Sequence, residues 1–339
     1  MFINIKTLSG NLELTIFVNL LIYILILLAV PALFLTIISF FKFKISGKKT
    51  IYLYAFSTGM FLIIGSAGFI KEGIILLEQW FHDKGSNGGL KYTGGSTTLE
   101  QTFIALIVGI SSLIGLTIVI LGRYLFVKKS KTEPHEHHSD HAHSDHLITF
   151  RDIDNPKAAW MAILMLLSHR IIDGLVLGFS VYQMSGSGYT NANVALIVTF
   201  NLHILLEIVI VYYRQIQYGE TKKKAILYSF LTLLLLIPIM FIGAFLGKYI
   251  DRVGWLLPSL QIMGGAVIVF ASVIELVPEF IHYRNEGVKT IYGTLITLAV
   301  AIIFTLVILS FHTHSQVPNI VPGPPTPRSL ITNFIYIKS

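Results

Sequence analysis

The sequence predicts an all-α, polytopic membrane protein with eight transmembrane helices. Hydrophobic residues make up 54% of the chain and charged residues 13%, and the mean hydropathy of +0.72 is far too high for a soluble domain with a polar surface. Eight runs of about 20 or more mostly apolar residues are each long enough to cross the hydrocarbon core as a helix. Continuous runs of this length exclude a transmembrane β-barrel, whose strands alternate over about ten residues.

The eight predicted spans follow one another along the chain. They cover residues 14–40, 52–80, 102–126, 158–182, 193–213, 224–248, 255–279 and 290–311. We keep the first run as span one because it is too long for the hydrophobic stretch of a cleavable signal and no small-residue cleavage site follows it. The chain therefore divides into residues 1–126 with spans one to three, a loop at 127–156, residues 157–312 with spans four to eight, and a tail at 313–339.

Basic residues predict the orientation of these spans. The loops after odd-numbered spans hold sixteen Lys and Arg residues, and the other loops and the termini hold seven. By the positive-inside bias, the odd loops are cytoplasmic and both termini and the C-terminal tail are exterior. The net charge of +7 is thus a topology signal, and we expect the lipid bilayer as partner and no nucleic acid. We expect a multi-pass protein of the plasma membrane, and no cysteine is present to form disulfides or thiolate ligands.

The predicted cytoplasmic loop at 127–156 is rich in histidine and lacks apolar periodicity, so we expect it to be disordered. Neutral imidazoles beside acidic residues bind Zn²⁺ and similar ions weakly and in several arrangements, which favours metal buffering or sensing over a purely solvated spacer. The loop histidines are His135, His137, His138, His141, His143 and His146.

Two histidine–carboxylate pairs lie inside predicted spans four and five. His169 and Asp173 are four residues apart, as are His203 and Glu207. This spacing places both members of a pair on one face of a helix, and all four residues fall in the central third of the bilayer. Two facing helices could thus supply a tetrahedral set of nitrogen and oxygen ligands for Zn²⁺, Fe²⁺, Mn²⁺ or Co²⁺.

The alternative for each residue alone is structural. A buried histidine often only hydrogen-bonds a neighbour, and Asp173 could serve only to neutralise Arg170 three residues earlier. Matching pairs at matching depth favour the metal site. Gly174 and Gly178 form a small-xxx-small face that predicts close packing of span four on a neighbouring helix.

Span four resembles the fourth helix of the ZIP family of divalent-metal transporters. That family's pattern is H-N-x-x-[D/E]-G, and here it stands as His169, Arg170, Ile171, Ile172, Asp173, Gly174. Span five matches the family's H-E-x-P-[H/E]-E helix at His203 and Glu207 only. Eight spans, exterior termini and a histidine-rich loop after span three also fit. The resemblance implies a transport bundle of spans one, four, five and six beside a more static set of spans two, three, seven and eight.

The departures from the ZIP pattern predict a single-metal site. Arg170 follows His169 where the family often has a ligand for a second metal, and Ile204 follows His203. A fixed guanidinium would repel a second cation in a low-dielectric site. The sequence leaves open whether Arg170 lowers metal affinity to help release or pairs with a carboxylate when no metal is bound.

Span seven ends in VIELVPEFIHYRN near the predicted cytoplasmic surface. Glu275 and Glu279 share a helix face there, and His282 lies just beyond, where this segment resembles the acidic end of the ZIP family's seventh helix. They are candidate ligands at the metal exit, with a solvated helix end as the alternative.

The function predicted from these residues is import of a divalent metal ion toward the cytoplasm, with Zn²⁺ as the preferred candidate. We expect no catalytic cofactor and no enzymatic activity. No G-x-x-x-x-G-K-[ST] motif is present to power a pump. The alternatives are an exporter like the cation diffusion facilitators, a membrane-embedded metallohydrolase, and a metal receptor or scaffold without flux. A homodimer is an assembly that the sequence leaves open.

Overall fold

The computed structural model describes residues 11–40, 47–83, 88–130, 169–187, 191–217, 220–277 and 287–313. Within these ranges all regular structure is helical, which confirms the all-α class. Two segments within these ranges are π-helical, Ile64–Ile70 and Ser272–Leu276. The helices are α1 (Leu12–Phe40), α2 (Gly47–Ile63), α3 (Lys71–His82), α4 (Leu90–Thr93), α5 (Thr97–Ser130), α6 (Arg170–Ser187), α7 (Asn191–Gln217), α8 (Lys222–Leu234), α9 (Leu236–Phe245), α10 (Gly247–Arg252), α11 (Leu256–Ala271) and α12 (Val288–Thr313).

Six stretches of the described chain are helical, long and apolar enough to cross a membrane. They correspond to predicted spans one, two, three, six, seven and eight. For span four, the predicted residues 158–168 lie outside the described ranges, and for span five the apolar part of α7 is the shorter Phe200–Tyr213. The count of eight spans therefore stays a prediction. The six stretches are Leu12–Ile38, Ile51–His82, Thr97–Gly122, Lys222–Phe245, Leu256–Ile274 and Val288–Ser310.

Local hydrogen bonds show how these apolar helices satisfy their polar groups. The Asn11 side chain accepts a hydrogen bond from the Leu14 backbone N–H at 3.0 Å and so caps the start of α1. Hydroxyl groups within the helices donate to carbonyl oxygens four residues earlier, as Thr58 does to Tyr54. These internal partners matter because hydrocarbon offers none.

The sixth predicted span is broken rather than continuous. Leu235 forms a turn between α8 and α9, and Pro238 follows three residues later. Proline has no N–H to donate to the Leu234 carbonyl, and its ring clashes with that carbonyl. The break therefore follows from the sequence, and it leaves the last carbonyls of α8 available to other donors.

The helices divide into two groups by their main packing contacts. The first bundle contains α1, α6, α7, α8 and α9, and its closest crossing joins α6 to α9. A Cβ atom at Gly178 would collide with the Met240 carbonyl oxygen, and one at Gly243 with the Leu175 carbonyl oxygen. Gly174 and Gly178 thus let span four pack closely on a neighbour, as predicted.

The second bundle contains α2, α3, α5, α11, α12 and the two π-helical segments. Here α2 packs on α12, and α11 packs on α5 and on the Ile64–Ile70 segment, where Gly65 and Gly265 meet backbone to backbone. Smaller contacts join the two bundles, between α2 and α7, α6 and α11, and α7 and α12. This division matches the grouping of spans that the ZIP resemblance implies.

Candidate metal centre

The four predicted ligand residues meet in the interior of the first bundle. His169 immediately precedes α6, Asp173 lies in the first turn of α6, and His203 and Glu207 lie in the middle of α7. Each side chain is at most 1% exposed. The spacing of four residues puts each pair on one helix face, and the two faces point at each other, with the Nε2 atoms of His169 and His203 3.3 Å apart.

Asp173 completes a compact set of three atoms with the two imidazoles. Its Oδ2 atom lies 3.5 Å from Nε2 of His169 and 3.7 Å from Nε2 of His203. A Zn²⁺ ion bound at about 2.1 Å in a tetrahedron holds its ligand atoms about 3.4 Å apart. The three atoms are therefore spaced like three corners of such a tetrahedron.

Glu207 belongs to an overlapping set. One of its carboxylate oxygens and the imidazole nitrogens of His169 and His203 all lie within 4.8 Å of one another. Its Oε2 atom is 3.9 Å from Nε2 of His169. Both sets share the two imidazoles, so Asp173 and Glu207 are competing candidates for the third ligand.

Arg170 is fully buried and contacts Glu207 with two of its nitrogens. Its Nε donates to Oε1 of Glu207 at 3.0 Å, and its Nη2 forms an ion pair with Oε2 at 2.9 Å without good hydrogen-bond alignment. Its Nη1 donates to the carbonyl oxygen of Thr232 at 3.1 Å. Thr232 lies in the last turn of α8, next to the break at Leu235, where helical carbonyls lack partners. One guanidinium thus joins α6, α7 and α8.

The formal charges around the site do not cancel. With neutral imidazoles, the carboxylates of Asp173 and Glu207 contribute −2 and Arg170 contributes +1, which leaves −1 in an interior of low dielectric. Neither oxygen of Asp173 has a hydrogen-bond partner. A buried carboxylate without partners is costly, and a bound cation would compensate it.

Aromatic side chains pack around His203 on the side of the second bundle. Phe61 of α2 meets the His203 ring edge to face, with centroids 5.4 Å apart. Phe69 of the Ile64–Ile70 segment meets Phe200 of α7 at 5.5 Å. These rings exclude water from this face of the site, which strengthens electrostatic interactions inside it.

Sequence reasoning missed several neighbours of the site. Tyr23 of α1 is fully buried and interacts electrostatically with Asp173. Neither Tyr23 nor Phe61 differs in pattern from an ordinary core aromatic residue. The only available signal was Pro238, which predicts free carbonyls near Thr232 but not which donor reaches them.

The other predicted metal-binding residues are outside what the structure describes. Glu275 lies in the Ser272–Leu276 segment, but its side chain is not among the described ones, and Glu279 and His282 lie outside the described residues. The six loop histidines at 135, 137, 138, 141, 143 and 146 and the tail from residue 314 also lie outside them. Their predicted roles stay predictions.

The sequence matches no protein-family model and no curated protein. The resemblance to the ZIP family therefore stays an expectation from the residues of spans four and five.

Proposed function

We propose that the protein is a membrane transporter that imports a divalent metal ion toward the cytoplasm through one mid-membrane site. Zn²⁺ is the first candidate, and Fe²⁺, Mn²⁺ and Co²⁺ are further ones. The observation that carries the proposal is the buried meeting of two imidazoles and a carboxylate, spaced for one ion, between two helices of a membrane-type bundle.

The ligand chemistry selects a class of cargo. Imidazole nitrogen suits Zn²⁺ and the neighbouring transition metals, whereas Ca²⁺ requires six to eight oxygen ligands and Mg²⁺ a near-octahedral oxygen shell. Two histidines and one or two carboxylates supply too few oxygens for those hard cations.

The position of the site supports alternating access. His203 belongs to the first bundle, and its ring contacts Phe61 of the second. Ile172, one residue before Asp173, packs against Gly264 of α11. A rigid displacement of the first bundle would carry the ligands past this boundary and expose them to one side at a time. The positive-inside bias gives the orientation of the protein in the membrane, and movement toward the cytoplasm is what the ZIP resemblance implies.

Transport by purified protein in liposomes tests the proposal. We expect Zn²⁺ to accumulate in vesicles containing the full chain, and His169→Ala and His203→Ala each to lower the initial rate to that of empty liposomes. His82→Ala is the matched control, since His82 is 71% exposed and lies at the end of α3.

The outcomes separate the proposed importer from the alternatives. Flux with the opposite sidedness would indicate an exporter, hydrolysis of lipid or peptide without flux would indicate a metallohydrolase, and binding without either would indicate a receptor or scaffold. Normal uptake in either histidine variant would contradict the proposed site.

A further inference from the structure

We propose that the metal is held by His169, Asp173 and His203, and that Glu207 is kept out of the ligand set by Arg170. This inference rests on the proposed metal site and specifies which of the two buried carboxylates serves it. Its basis is the difference in what each carboxylate contacts.

Asp173 is available to an ion. It is fully buried, neither of its oxygens has a hydrogen-bond partner, and Oδ2 faces both imidazoles at 3.5 and 3.7 Å. These distances are close to the tetrahedral ligand spacing of about 3.4 Å. No rearrangement is needed for Asp173 to become the third ligand.

Glu207 already has a charged partner in Arg170. Arg170 contacts both of its oxygens, at 3.0 and 2.9 Å, and Oε2 lies farther from His169 than Asp173 does, at 3.9 Å. Arginine stays protonated in proteins. A metal ion that took Glu207 as a ligand would strip the guanidinium of its counterion and leave it beside a dication in a low-dielectric interior.

The Arg170–Glu207 pair therefore has a structural role, because it holds helices together around the site. With the Thr232 carbonyl it joins α6, α7 and α8 around the site, and its fixed positive charge repels a second cation beside Glu207. Three protein ligands leave one coordination position open, as in sites whose metal exchanges a ligand. For a transporter, an open position provides a way for the ion to pass between ligands.

Co²⁺ binding to the full-length chain, with its six loop histidines changed to serine, tests this inference. The d–d absorption of Co²⁺ reports coordination geometry, and a titration gives its affinity. Replacing a buried ion pair by apolar residues of similar volume is often tolerated, so Arg170→Met combined with Glu207→Met removes the pair without leaving one charge alone. Asp173→Asn is the matched change at the other carboxylate.

We expect the double methionine variant to bind one Co²⁺ with the parent spectrum and an affinity within about threefold of the parent. Asp173→Asn should weaken binding by at least about tenfold, because even loss of a ligand's outer partner costs about 10- to 100-fold. Retained affinity in Asp173→Asn, or an equal loss in a folded double variant, would overturn the inference. Asp173→Asn is isosteric, so the test stands even if the double variant does not fold.

The same titration distinguishes this inference from the proposed function. If the parent chain binds no Co²⁺, both the proposed function and this inference are contradicted. A parent chain that binds Co²⁺ through Asp173 but moves no metal in liposomes would contradict transport and leave the ligand set intact.

Discussion

The two bundles differ in where their buried charged side chains lie. In the first bundle, Arg170, Asp173 and Glu207 are fully buried at the centre of the packing. In the described part of the second bundle, the buried carboxylate is Glu100, which lies at the start of α5 and is 3.2 Å from the exposed His82. The histidine–carboxylate pair of the second bundle lies at a solvated helix end, where a charge loses little hydration energy.

This difference supports placing the proposed metal site in the first bundle. A buried charge in a membrane protein is expensive and persists where it is paired or used. In the described part of the second bundle, α11 and the Ile64–Ile70 segment meet at Gly65 and Gly265, where the backbones come together without a charged side chain. We therefore expect the proposed metal chemistry in the first bundle, with the second bundle as the surface against which it lies.

Removing the buried cation should have the largest effect on stability. Arg170→Met leaves Glu207 as an uncompensated buried charge, and breaking such a pair costs about 3–5 kcal/mol. Glu100→Gln, which breaks the pair with the solvent-exposed His82, should cost about 0–1 kcal/mol. Unfolding in detergent micelles measures both, and similar costs would contradict the contrast between the bundles.

The glycine crossing of α6 and α9 should give a smaller effect. Gly178→Ala places a methyl group against the Met240 backbone and should destabilise the protein by about 1–3 kcal/mol. Gly109→Ala is the control, because nothing lies within 4 Å of a Cβ at that position of α5. Alanine there should be neutral or stabilise by up to about 1 kcal/mol. Equal unfolding temperatures for the two variants would mean that α6 and α9 do not pack closely.

The contact between the bundles should affect transport more than stability. Phe61→Leu removes a ring contact with His203, and Phe56→Leu removes a comparable contact with Phe304 inside the second bundle. Each substitution should cost about 1 kcal/mol of stability.

The two variants should differ in uptake. An edge-to-face ring pair is worth about 0.5–1.5 kcal/mol, so Phe61→Leu should change the Zn²⁺ uptake rate by about two- to tenfold. Phe56→Leu should leave the rate unchanged. If both variants transport alike, the boundary at Phe61 has no part in the movement of the bundle.

Much of the fold could be predicted because it depends on local patterns. Apolar runs predicted the all-α class and eight spans, six of which correspond to helices long and apolar enough to cross a membrane. Small residues at 174 and 178 predicted a close helix crossing. The i, i+4 pairs placed two imidazoles and two carboxylates on helix faces, and the structure brings those four side chains together.

The remaining features depend on tertiary contacts. The sequence left two roles open for Arg170, and only packing places its guanidinium on Glu207 and on the Thr232 carbonyl. The π-helical segment Ile64–Ile70 has no distinct pattern in the local sequence. The contact of Phe61 with His203 joins residues far apart in the chain. Such features follow from which helices meet, and periodicity within one helix carries no information on that.

Zinc stoichiometry and coordination in the purified chain, with the six loop histidines changed to serine, test the central claim most directly. Elemental analysis should give one Zn²⁺ per chain, and X-ray absorption at the zinc edge should show two imidazole ligands. Combining His169→Ala with His203→Ala should abolish binding. Two ions per chain, or a zinc site that survives the loss of both histidines, would contradict a single ion held between α6 and α7.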